Sequence, residues 1–294
     1  MALIRPLTTL EDCRKVVELE KRVWGYTDAE DVVPSPVLIV TIKRGGILLG
    51  GFDEAGEMKG FVYSIPGVKD GRLIQWSHML GVTADARGGG LGARLKLAQR
   101  EAALRMGIEL IEWTYDPLQA MNAHFNFSKL GVVVEEYEEN IYGESSSPLH
   151  RGTPTDRFVA EWHLTRPHVE RRVEDAGAPI RDASVASAPV LNPSREAGEW
   201  LEPGPANLQA EHHRMLVEIP MDFSDMQARR PALALAWRLA TREIFQAYLP
   251  RGYRVVDFLL SPPARGGHYL LTRDSHLLVP QGPRIRRITP TDSQ

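Results

Sequence analysis

The sequence predicts an α/β fold of the α+β kind, in which helices flank a central sheet and a smaller α/β domain follows toward the C terminus. Strand-like and helix-like periodicities alternate along residues 1–165. One apolar strand pattern leads directly into a glycine-rich turn and then into a helix pattern, between residues 76 and 105. The length of 294 residues suits two domains better than one. The predicted units are residues 1–165, a connecting segment at 166–210, and residues 211–294.

The composition excludes several classes of protein. A formal net charge of −3 offers no electrostatic basis for binding nucleic acid or an anionic membrane. The single cysteine, Cys13, excludes an internal disulfide framework and a cysteine-rich metal site. No apolar run approaches the ~18 residues of a membrane span, and the N terminus lacks a charged-then-apolar leader pattern, so we expect a cytoplasmic protein.

Residues 1–75 predict a strand, two helices and a hairpin. Thr8 or Thr9 is placed to cap the first helix, which ends at residues 24–26. The Ser35-Pro36 pair starts the second helix, because a capping side chain followed by proline suits a first turn. The glycine-containing segment 54–57 joins two strand patterns and so predicts a hairpin. The strands are expected at 2–7, 47–52 and 58–65, and the second helix at 37–44.

Residues 76–92 carry the pattern on which the functional prediction depends. A strand pattern at 76–82 is followed by four glycines within five residues, and a helix pattern begins at Leu91. Glycine permits backbone conformations in which successive N–H groups point inward, and a helix N terminus adds unpaired N–H groups and a positive dipole end. The stretch therefore predicts a cradle for a phosphate or pyrophosphate. A glycine-rich helix start without a ligand is the alternative.

The spacing of the glycines excludes two other phosphate loops and resembles a third. The chain has no Gly-x-x-x-x-Gly-Lys-Ser/Thr motif here, and no Gly-x-Gly-x-x-Gly motif followed by an acid. The pattern Val82-x-x-x-x-Arg87-Gly88-x-Gly90-x-Gly92 resembles the acetyl-CoA pyrophosphate loop of the GNAT N-acyltransferases. The resemblance covers residues 2–165, and the predicted strand, helix, helix, strand, strand order is similar to the beginning of that family's fold.

The resemblance implies a mixed central sheet that is splayed at a coenzyme A site. A bulge near Leu80-Gly81 would part the central strand from the next parallel strand. The backbone of Leu80 and Val82 would pair with the pantetheine arm, and one N–H would polarise the thioester carbonyl. Acetyl-CoA or another acyl-CoA is the implied co-substrate, and no metal is expected. The implied cofactor-binding residues are Leu80, Val82, Arg87, Gly88, Gly89, Gly90, Leu91, Gly92, Ala93, Asn122 and Lys129.

A helix pattern at residues 118–130 carries the other part of the resemblance. Asp116-Pro117 starts it, with aspartate as the cap and proline in the first turn. Asn122 resembles the family's CoA-contacting asparagine, one residue nearer the Lys-Leu-Gly end, and Lys129 resembles its lysine. Phe127 departs from the family, because it replaces the tyrosine that protonates the leaving thiolate. The alternative acids, which the sequence does not rank, are Tyr115, Tyr137 and Tyr142.

Deprotonation of the amine acceptor is a larger energetic problem than departure of the thiol. Deprotonation at pH 7 costs about 4–5 kcal/mol for a lysine-like amine and about 1 kcal/mol for an α-amino group. Departure of the thiol of coenzyme A as a thiolate at the same pH costs about 2 kcal/mol. His78, just before the expected splay, is the candidate base because its pKa suits proton transfer near neutrality. Glu112 on the neighbouring strand is the second candidate. For His78 the alternative is a purely structural histidine.

The resemblance implies acyl transfer to a primary amine of a small molecule, such as an amino acid, by direct attack. Segment 24–35 would wall the acceptor site, unless it is a solvated acidic loop. The acidic cluster 135–139 would attract a cationic acceptor or face solvent, and Arg157 would hold an acceptor carboxylate. Candidate contacts in the wall are Trp24, Tyr26, Asp28, Glu30 and Asp31. A protein lysine acceptor, a non-catalytic CoA-binding protein and a scaffold are the alternatives; nucleic acid and membrane partners are not expected, and an oligomer is left open.

Residues 211–294 predict a strand, a long helix and two strands, at 212–219, 226–249, 253–260 and 268–272. Met215-Leu216 parallels Met79-Leu80, and Asp257-Phe258 parallels Glu112-Trp113. A decayed copy of the first unit is one interpretation. It would not bind CoA, because the acidic segment 220–225 replaces the glycine turn. An unrelated cap is the other interpretation. The pair His212-His213 has no further ligands nearby, so we assign no metal to it.

Overall fold

The computed structural model describes residues 3–26, 31–143, 153–174, 185, 187–260 and 265–274. Its strands are β1 (Leu3–Pro6), β2 (Ile47–Phe52), β3 (Met58–Lys69), β4 (Arg72–Val82), β5 (Leu110–Tyr115), β6 (Val133–Glu138), β7 (Arg157–His163), β8 (Arg195–Ala197), β9 (Trp200–Glu202), β10 (Arg214–Pro220), β11 (Arg254–Leu260) and β12 (Gly266–Thr272). Its α-helices are α1 (Leu10–Trp24), α2 (Ser35–Lys43), α3 (Leu91–Arg105), α4 (Ala120–His124), α5 (Pro167–Glu174), α6 (Phe223–Arg229) and α7 (Pro231–Tyr248).

A mixed sheet extends through both halves of the described chain, in the strand order β1-β2-β3-β4-β5-β7-β6-β11-β12-β10. β4 and β5 are parallel neighbours, and the other ladders between these strands are antiparallel. β8 and β9 form a separate hairpin. The prediction of a mixed sheet flanked by helices is confirmed.

Reciprocal hydrogen bonds at Thr9 start α1. Thr9 Oγ1 accepts a hydrogen bond from the Asp12 N–H (3.1 Å), and the Asp12 carboxylate accepts one from the Thr9 N–H (3.2 Å). This capping box satisfies two N–H groups that the helix leaves unpaired, so Thr9 rather than Thr8 is the cap. Gly25, with a φ of 68°, ends the helix. α2 begins at Ser35, two residues earlier than predicted.

The β3–β4 hairpin is longer than the sequence prediction, which ended the first strand at residue 65 and began the next at 76. β3 and β4 pair as far as Lys69 and Arg72, across a two-residue turn. Both turn residues have positive φ, 49° at Asp70 and 76° at Gly71, as a type I′ turn requires. The Asp70-Gly71 pair is the local signal for this turn, and the sequence prediction did not use it.

The helix predicted at 118–130 is shorter and changes its winding. Asp116 Oδ1 accepts a hydrogen bond from the Leu118 N–H (2.9 Å), but α4 begins only at Ala120. The segment Phe125–Leu130 is π-helical, and Gly131 ends it with a φ of 72°. The prediction of one continuous α-helix was therefore wrong.

Corrections also apply to the C-terminal half. The segment 166–210, expected to be a connecting segment, contains α5 and the β8–β9 hairpin. The helix expected at 226–249 is two helices. Pro231 has no N–H to donate to the preceding turn, so α6 ends and α7 begins there. The other strands lie within two residues of their expected positions.

The order of the C-terminal strands differs from the order expected from the matched residue pairs of the two halves. β12 lies between β10 and β11 and is antiparallel to both. If Met215-Leu216 corresponded to Met79-Leu80, β10 and β11 would be neighbours, as β4 and β5 are. They are not, because β12 lies between them. The order β10-β12-β11 is instead the order of β5-β7-β6, in which the last strand also inserts between the two before it.

The two halves meet between β6 and β11 and share one core. The strands are joined by the pair Val134 and Val255. One cluster of buried side chains contains residues from both halves, among them Phe158 and Phe245, whose ring centroids are 4.5 Å apart. The buried Arg238 guanidinium also makes two 2.7 Å hydrogen bonds to the Asp116 carboxylate. The proposed boundaries near residues 165 and 211 thus separate segments that share a sheet and a core.

Candidate functional site

A V-shaped opening separates β4 from β5. The two strands pair only at Gln75–Ile111 and Trp76–Glu112. Beyond that point each strand keeps its outer neighbour, β3 or β7, but the segments Ser77–Val82 and Trp113–Tyr115 no longer pair with each other. We call this opening the cleft and the Trp76–Glu112 pair its apex. The inner backbone edges of both strands border the cleft and have no ladder partner among the described residues.

A β-bulge lies next to the apex, at His78. Ser64 pairs with Ser77 and Tyr63 pairs with Met79, so His78 is the extra residue on β4. The bulge predicted near Leu80-Gly81 is therefore displaced by two residues. Gly81 has a different role, since a Cβ there would lie 2.8 Å from the Phe61 ring and 3.2 Å from Trp24.

The backbone groups of Leu80 and Val82 face the cleft. The Thr83 N–H donates to the Lys59 carbonyl (2.9 Å), so Thr83 bonds toward β3. Successive residues of an antiparallel strand bond in alternate directions, which turns the N–H and C=O groups of Val82 and Leu80 toward the opening. The Val82 carbonyl already accepts a hydrogen bond from Arg87 Nε (3.1 Å). This bond ties the exposed Arg87 back to the end of β4.

The glycine turn stands at the mouth of the cleft. Gly88 and Gly90 have φ values of 80° and 77°, and a Cβ at either position would meet nothing within 4 Å. Glycine is required here by conformation rather than by space, and the surface in front of the turn is open. Gly90 is also the N-cap residue of α3, and it has no side chain that could accept hydrogen bonds from the first N–H groups of the helix. Gly89 and Gly92 lie beside these two.

Three amides at the start of α3 are available to a ligand. The first hydrogen bond of the helix runs from the Arg94 N–H to the Gly90 carbonyl (3.1 Å). The N–H groups of Leu91, Gly92 and Ala93 precede it and have no acceptor among the described residues. The first turn of α3 contains no acidic residue. Open amides without a competing carboxylate fit an anion such as a phosphate or diphosphate group.

His78 presents its imidazole at the bulge. The side chain is exposed, with its ring 6.2 Å from that of Tyr63 in an edge-to-face contact. Among the described residues it has no hydrogen-bond partner. The surrounding protein nevertheless withdraws enough water to lower the pKa of His78 below its usual 6.5. The imidazole is therefore mainly neutral at pH 7, the form that accepts a proton.

Glu112 is buried and committed to an ion pair. Its carboxylate contacts the ammonium of Lys69, which also lies 2.9 Å from Glu161. Burial raises the pKa of Glu112, and the hydrogen bond from Lys69 opposes that shift. A carboxylate held in this way is less available to take a proton from an acceptor than the exposed His78.

The residues of α4 and of the π-helical segment that follows it divide between surface and core. Asn122 and Lys129 are exposed, whereas Ala123 and Phe127 are wholly buried. The Phe127 ring lies 5.8 Å from that of Tyr269, on β12. Phe127, which stands where the family that the chain resembles has a tyrosine, thus packs in the core against the C-terminal half.

The three tyrosines that the sequence left unranked differ in their exposure and in their hydrogen-bond partners. Tyr115 is buried, with its hydroxyl toward that of Tyr269, and Tyr137 donates to the Asp156 carboxylate. Burial raises the pKa of both. Tyr142 alone of the three is exposed, and its hydroxyl lies 2.9 Å from Thr114 Oγ1 on the β5 side of the cleft.

Aromatic side chains gather beyond the bulge, on the side of α1. The Trp24 ring stacks on Tyr26 (5.8 Å) and packs edge-to-face on Phe61. The half-buried Arg157 guanidinium lies 5.4 Å from the centre of the Tyr142 ring. The candidate contacts Asp28 and Glu30 lie outside the described residues. Asp31 is near enough to Tyr26 to help raise the pKa of its phenol, after the larger effect of burial.

Much of the acidic cluster at 135–139 is neutralised by the C-terminal half. Glu135 pairs with Arg254 (2.6 Å). Glu139 pairs with Arg242 (2.5 Å), and the same guanidinium binds Asp156. These carboxylates are therefore weaker attractors of a cationic acceptor than their spacing in the sequence suggested.

Sequence reasoning missed two buried ionisable residues, Glu20 and Lys96. Glu20 on α1 is wholly buried, and Oε2 accepts from the Val33 N–H (2.9 Å) while Oε1 has no partner among the described residues. Burial raises the pKa of Glu20 to about 7. Its spacing of four from Val16 places it in the apolar stripe of α1, which was the available signal.

In the described parts of the chain, no group of three or more histidine, cysteine, aspartate or glutamate side chains is arranged to bind a metal ion. No helix there combines the length and the apolar character needed to span a bilayer.

Comparison with known proteins finds similar folds but no close relative. Neither a protein-family model nor a curated protein matches the chain. Among solved structures, the chain is similar to an acetyltransferase of the GNAT family from Streptococcus pneumoniae, with 20% identity and a TM-score of 0.45 over 55% of this chain and 98% of that one. It is also similar to the PaiA N-acetyltransferase of Thermoplasma acidophilum in complex with coenzyme A (17%, 0.40, 55% and 99%). A third is the ribosomal-protein-S18-alanine N-acetyltransferase of Escherichia coli (14%, 0.44, 56% and 96%).

Proposed function

We propose that the chain is an acyl-CoA-dependent N-acyltransferase that acylates a primary amine of a small molecule by direct attack, with acetyl-CoA as the first donor to test. One observation carries the proposal. Two parallel strands separate at Trp76–Glu112, and the mouth of the resulting cleft holds a glycine turn and three open helix amides. An extended ligand arm fits between two unpaired strand edges, and its anionic end fits the amides.

The residues of the cleft would bind and orient the donor. The amides of Leu91, Gly92 and Ala93 would hold the diphosphate, and the inward-facing backbone of Leu80 and Val82 would pair with the arm. When bound, the acyl-CoA supplies the activated thioester. An N–H group fixed on β4 next to that carbonyl would stabilise negative charge on its oxygen without reorganisation.

His78 would accept the proton of the attacking amine at a ring nitrogen. It lies at the bulge beside the apex, it is exposed, and its lowered pKa keeps it neutral at pH 7. Glu112 is the weaker candidate because Lys69 already holds its carboxylate. Tyr142 would supply a proton to the leaving thiolate, since its phenol is the exposed one beside β5.

A specific observation favours a second candidate function, binding of coenzyme A without catalysis. Phe127 stands where the resembling family has its acid, and its ring is packed against Tyr269 rather than open to the cleft. Release of the thiol as a thiolate at pH 7 costs only about 2 kcal/mol, so the absence of a tyrosine at position 127 does not by itself prevent turnover.

The first experiment tests the cradle by calorimetry with acetyl-CoA. Gly88→Val forces a β-branched residue to a φ of 80° in the turn, and we expect it to weaken binding by about tenfold or more, because the turn amides must reorient. Gly56→Val is the matched control, since Gly56 also has a φ of 80° and open space around it but lies in the β2–β3 turn. Equal affinity in both variants would refute the cradle assignment.

The second experiment separates catalysis from mere binding. Release of free thiol from acetyl-CoA is followed with a panel of α-amino acids, basic amines and a lysine-containing peptide. Turnover with a small amine supports the proposal, and turnover with the peptide alone would move the acceptor to protein lysine. Tight binding without turnover on any amine would leave the non-catalytic function.

A further inference from the structure

Lys96 is a lysine buried beneath the apex of the cleft. It projects from the second turn of α3 and retains only 2% of its accessible surface. A lysine is rarely placed so deeply without a carboxylate partner, because the ammonium loses its hydration. Its surroundings therefore need a specific explanation.

The three hydrogen-bonding directions of the Lys96 amine are all occupied. Nζ donates to Ser77 Oγ (2.9 Å) and to Gln99 Oε1 (3.1 Å), and it lies 3.6 Å from the centre of the Trp113 ring. The described groups that face it are thus two polar neutral side chains, from β4 and α3, and two aromatic rings, Trp113 on β5 and Trp162 on β7, the latter at 5.9 Å. Burial with no carboxylate in contact lowers the pKa of Lys96 well below its usual value.

Two of these contacts lie on opposite strands at the point where the strands part. Ser77 follows Trp76 on β4, and Trp113 follows Glu112 on β5, so both are the first residues beyond the apex. Lys96 therefore bonds to one arm of the V and lies on the ring of the other. Without a brace, the unpaired inner edges would gain hydrogen bonds by closing further along the ladder.

We infer that Lys96 is a positioning residue that holds β4 and β5 at a fixed separation and so preforms the cleft. We call Lys96, Ser77, Gln99 and Trp113 the apex brace. The inference rests on the proposed function for its effect on coenzyme A, but the effect on the strands can be measured without any ligand. A preformed cleft binds its ligand without first spending free energy on ordering the two edges.

The test replaces Lys96 by methionine, which keeps the length of the side chain and removes the amine. Ser77 and Gln99 remain hydrogen-bonded to each other (3.1 Å), so the substitution leaves neither of them without a partner. Lys43→Met, at the exposed end of α2, is the matched control. Ser77→Ala removes the bond to β4 while Lys96 stays, and provides a second route if Lys96→Met does not fold.

Amide hydrogen exchange on the free protein reads the strands directly. Because the strands would close and pair their inner edges, we expect Lys96→Met to slow exchange by about tenfold at the inward-facing amides of the segments 77–82 and 113–115, with β1 and β2 unchanged. Calorimetry should show coenzyme A binding weakened by about tenfold, while the KM for the amine stays within about twofold. The losses from Lys96→Met and Ser77→Ala should be less than additive, because both act through one bond.

The results separate this inference from the proposed function. Exchange and affinity in Lys96→Met equal to those in Lys43→Met would overturn the brace, even if the wild type binds coenzyme A well. A lower melting temperature with unchanged exchange in the two segments would also overturn it, because that is general destabilisation. If the wild type does not bind coenzyme A, the proposed function fails, and the exchange data still decide whether Lys96 braces the strands.

Discussion

Glu20 is a carboxylic acid in a layer of apolar side chains between α1 and β3. Its Oε1 and the hydroxyl of Tyr63 are both buried without a partner among the described residues. Such groups persist in a folded protein only if the rest of the structure compensates for them. Glu20 is therefore the residue at which stability should respond most clearly to pH.

The pKa of Glu20 is raised from 4.5 to about 7 by burial, so the folded state keeps a proton that the unfolded chain releases between these values. Because the folded state binds more protons there, the free energy of unfolding falls as pH rises through this window and is level above it. We expect the wild type to lose up to about 3 kcal/mol relative to Glu20→Gln between pH 4.5 and 7.5. Urea denaturation at several pH values measures the difference. Glu18→Gln, on the exposed side of the same helix, should show no such trend; a pH-independent difference for Glu20→Gln would contradict the raised pKa.

His78 should control the acid limb of the reaction. Protonation of the imidazole removes the base, so kcat/KM should fall as pH drops through a value below 6.5. His78→Gln should abolish that limb and lower turnover by about 10²-fold or more on strongly basic amines. The loss should be smaller on α-amino acids, whose amines need less help to deprotonate. Initial rates against pH for both classes give the answer, with His212→Gln as an exposed control; equal losses on both classes would remove His78 as the base.

Elements of secondary structure were predicted best where a local signal stood alone. Two local features depend only on neighbours a few residues away: the strand, turn and helix around Gly90, and the helix cap at Thr8 or Thr9. For both, the type of structure was predicted correctly. The bulge was expected near Leu80-Gly81 from the resemblance and lies at His78; Gly81 instead lacks a Cβ where Phe61 and Trp24 pack closely. The brace at Lys96 could not be predicted, since it depends on how α3 crosses two strands.

The turn after β5 depends on an element from the far end of the chain. α7 delivers Arg238, which holds the Asp116 carboxylate by two 2.7 Å bonds in the core. Arg238→Met should lower the free energy of unfolding by about 3–5 kcal/mol, because it leaves a buried carboxylate uncompensated. The double variant Arg238→Met with Asp116→Asn should recover much of that loss. Arg229→Met, which breaks two exposed ion pairs and a contact with the Trp200 ring but leaves no buried charge uncompensated, should lower the free energy of unfolding far less. A double variant no more stable than Arg238→Met would show that the charge is not the cause.

At the scale of the whole molecule, the sheet and the core continue across the sequence segments proposed as separate units. The sequence predicted the elements of the C-terminal half but not their attachment, because the single β6–β11 contact and the Arg238–Asp116 pair join residues more than a hundred positions apart. Neither has a local signature. The C-terminal half is therefore bound to the segment that follows β5, one of the two strands that border the cleft.

A shared core predicts cooperative unfolding of the two halves. We expect the slowest-exchanging amides of β3 and of β12 to report the same opening free energy, equal to the global value from urea denaturation. Arg238→Met should lower both by the same amount. Two distinct plateaus, with only one responding to Arg238→Met, would show that the halves unfold separately.

The pairing of β6 with β11 has a consequence for the behaviour of the chain in concentrated solution. At this pairing, a strand edge that could hydrogen-bond to a strand of another molecule is covered within the same chain. Of the outermost strands, β1 has four residues and ends at Pro6, and β10 is shielded where Leu216 bonds to the Pro189 and Leu191 backbone. Of these two outermost strands, neither offers a long open border from which aggregation by strand addition could begin.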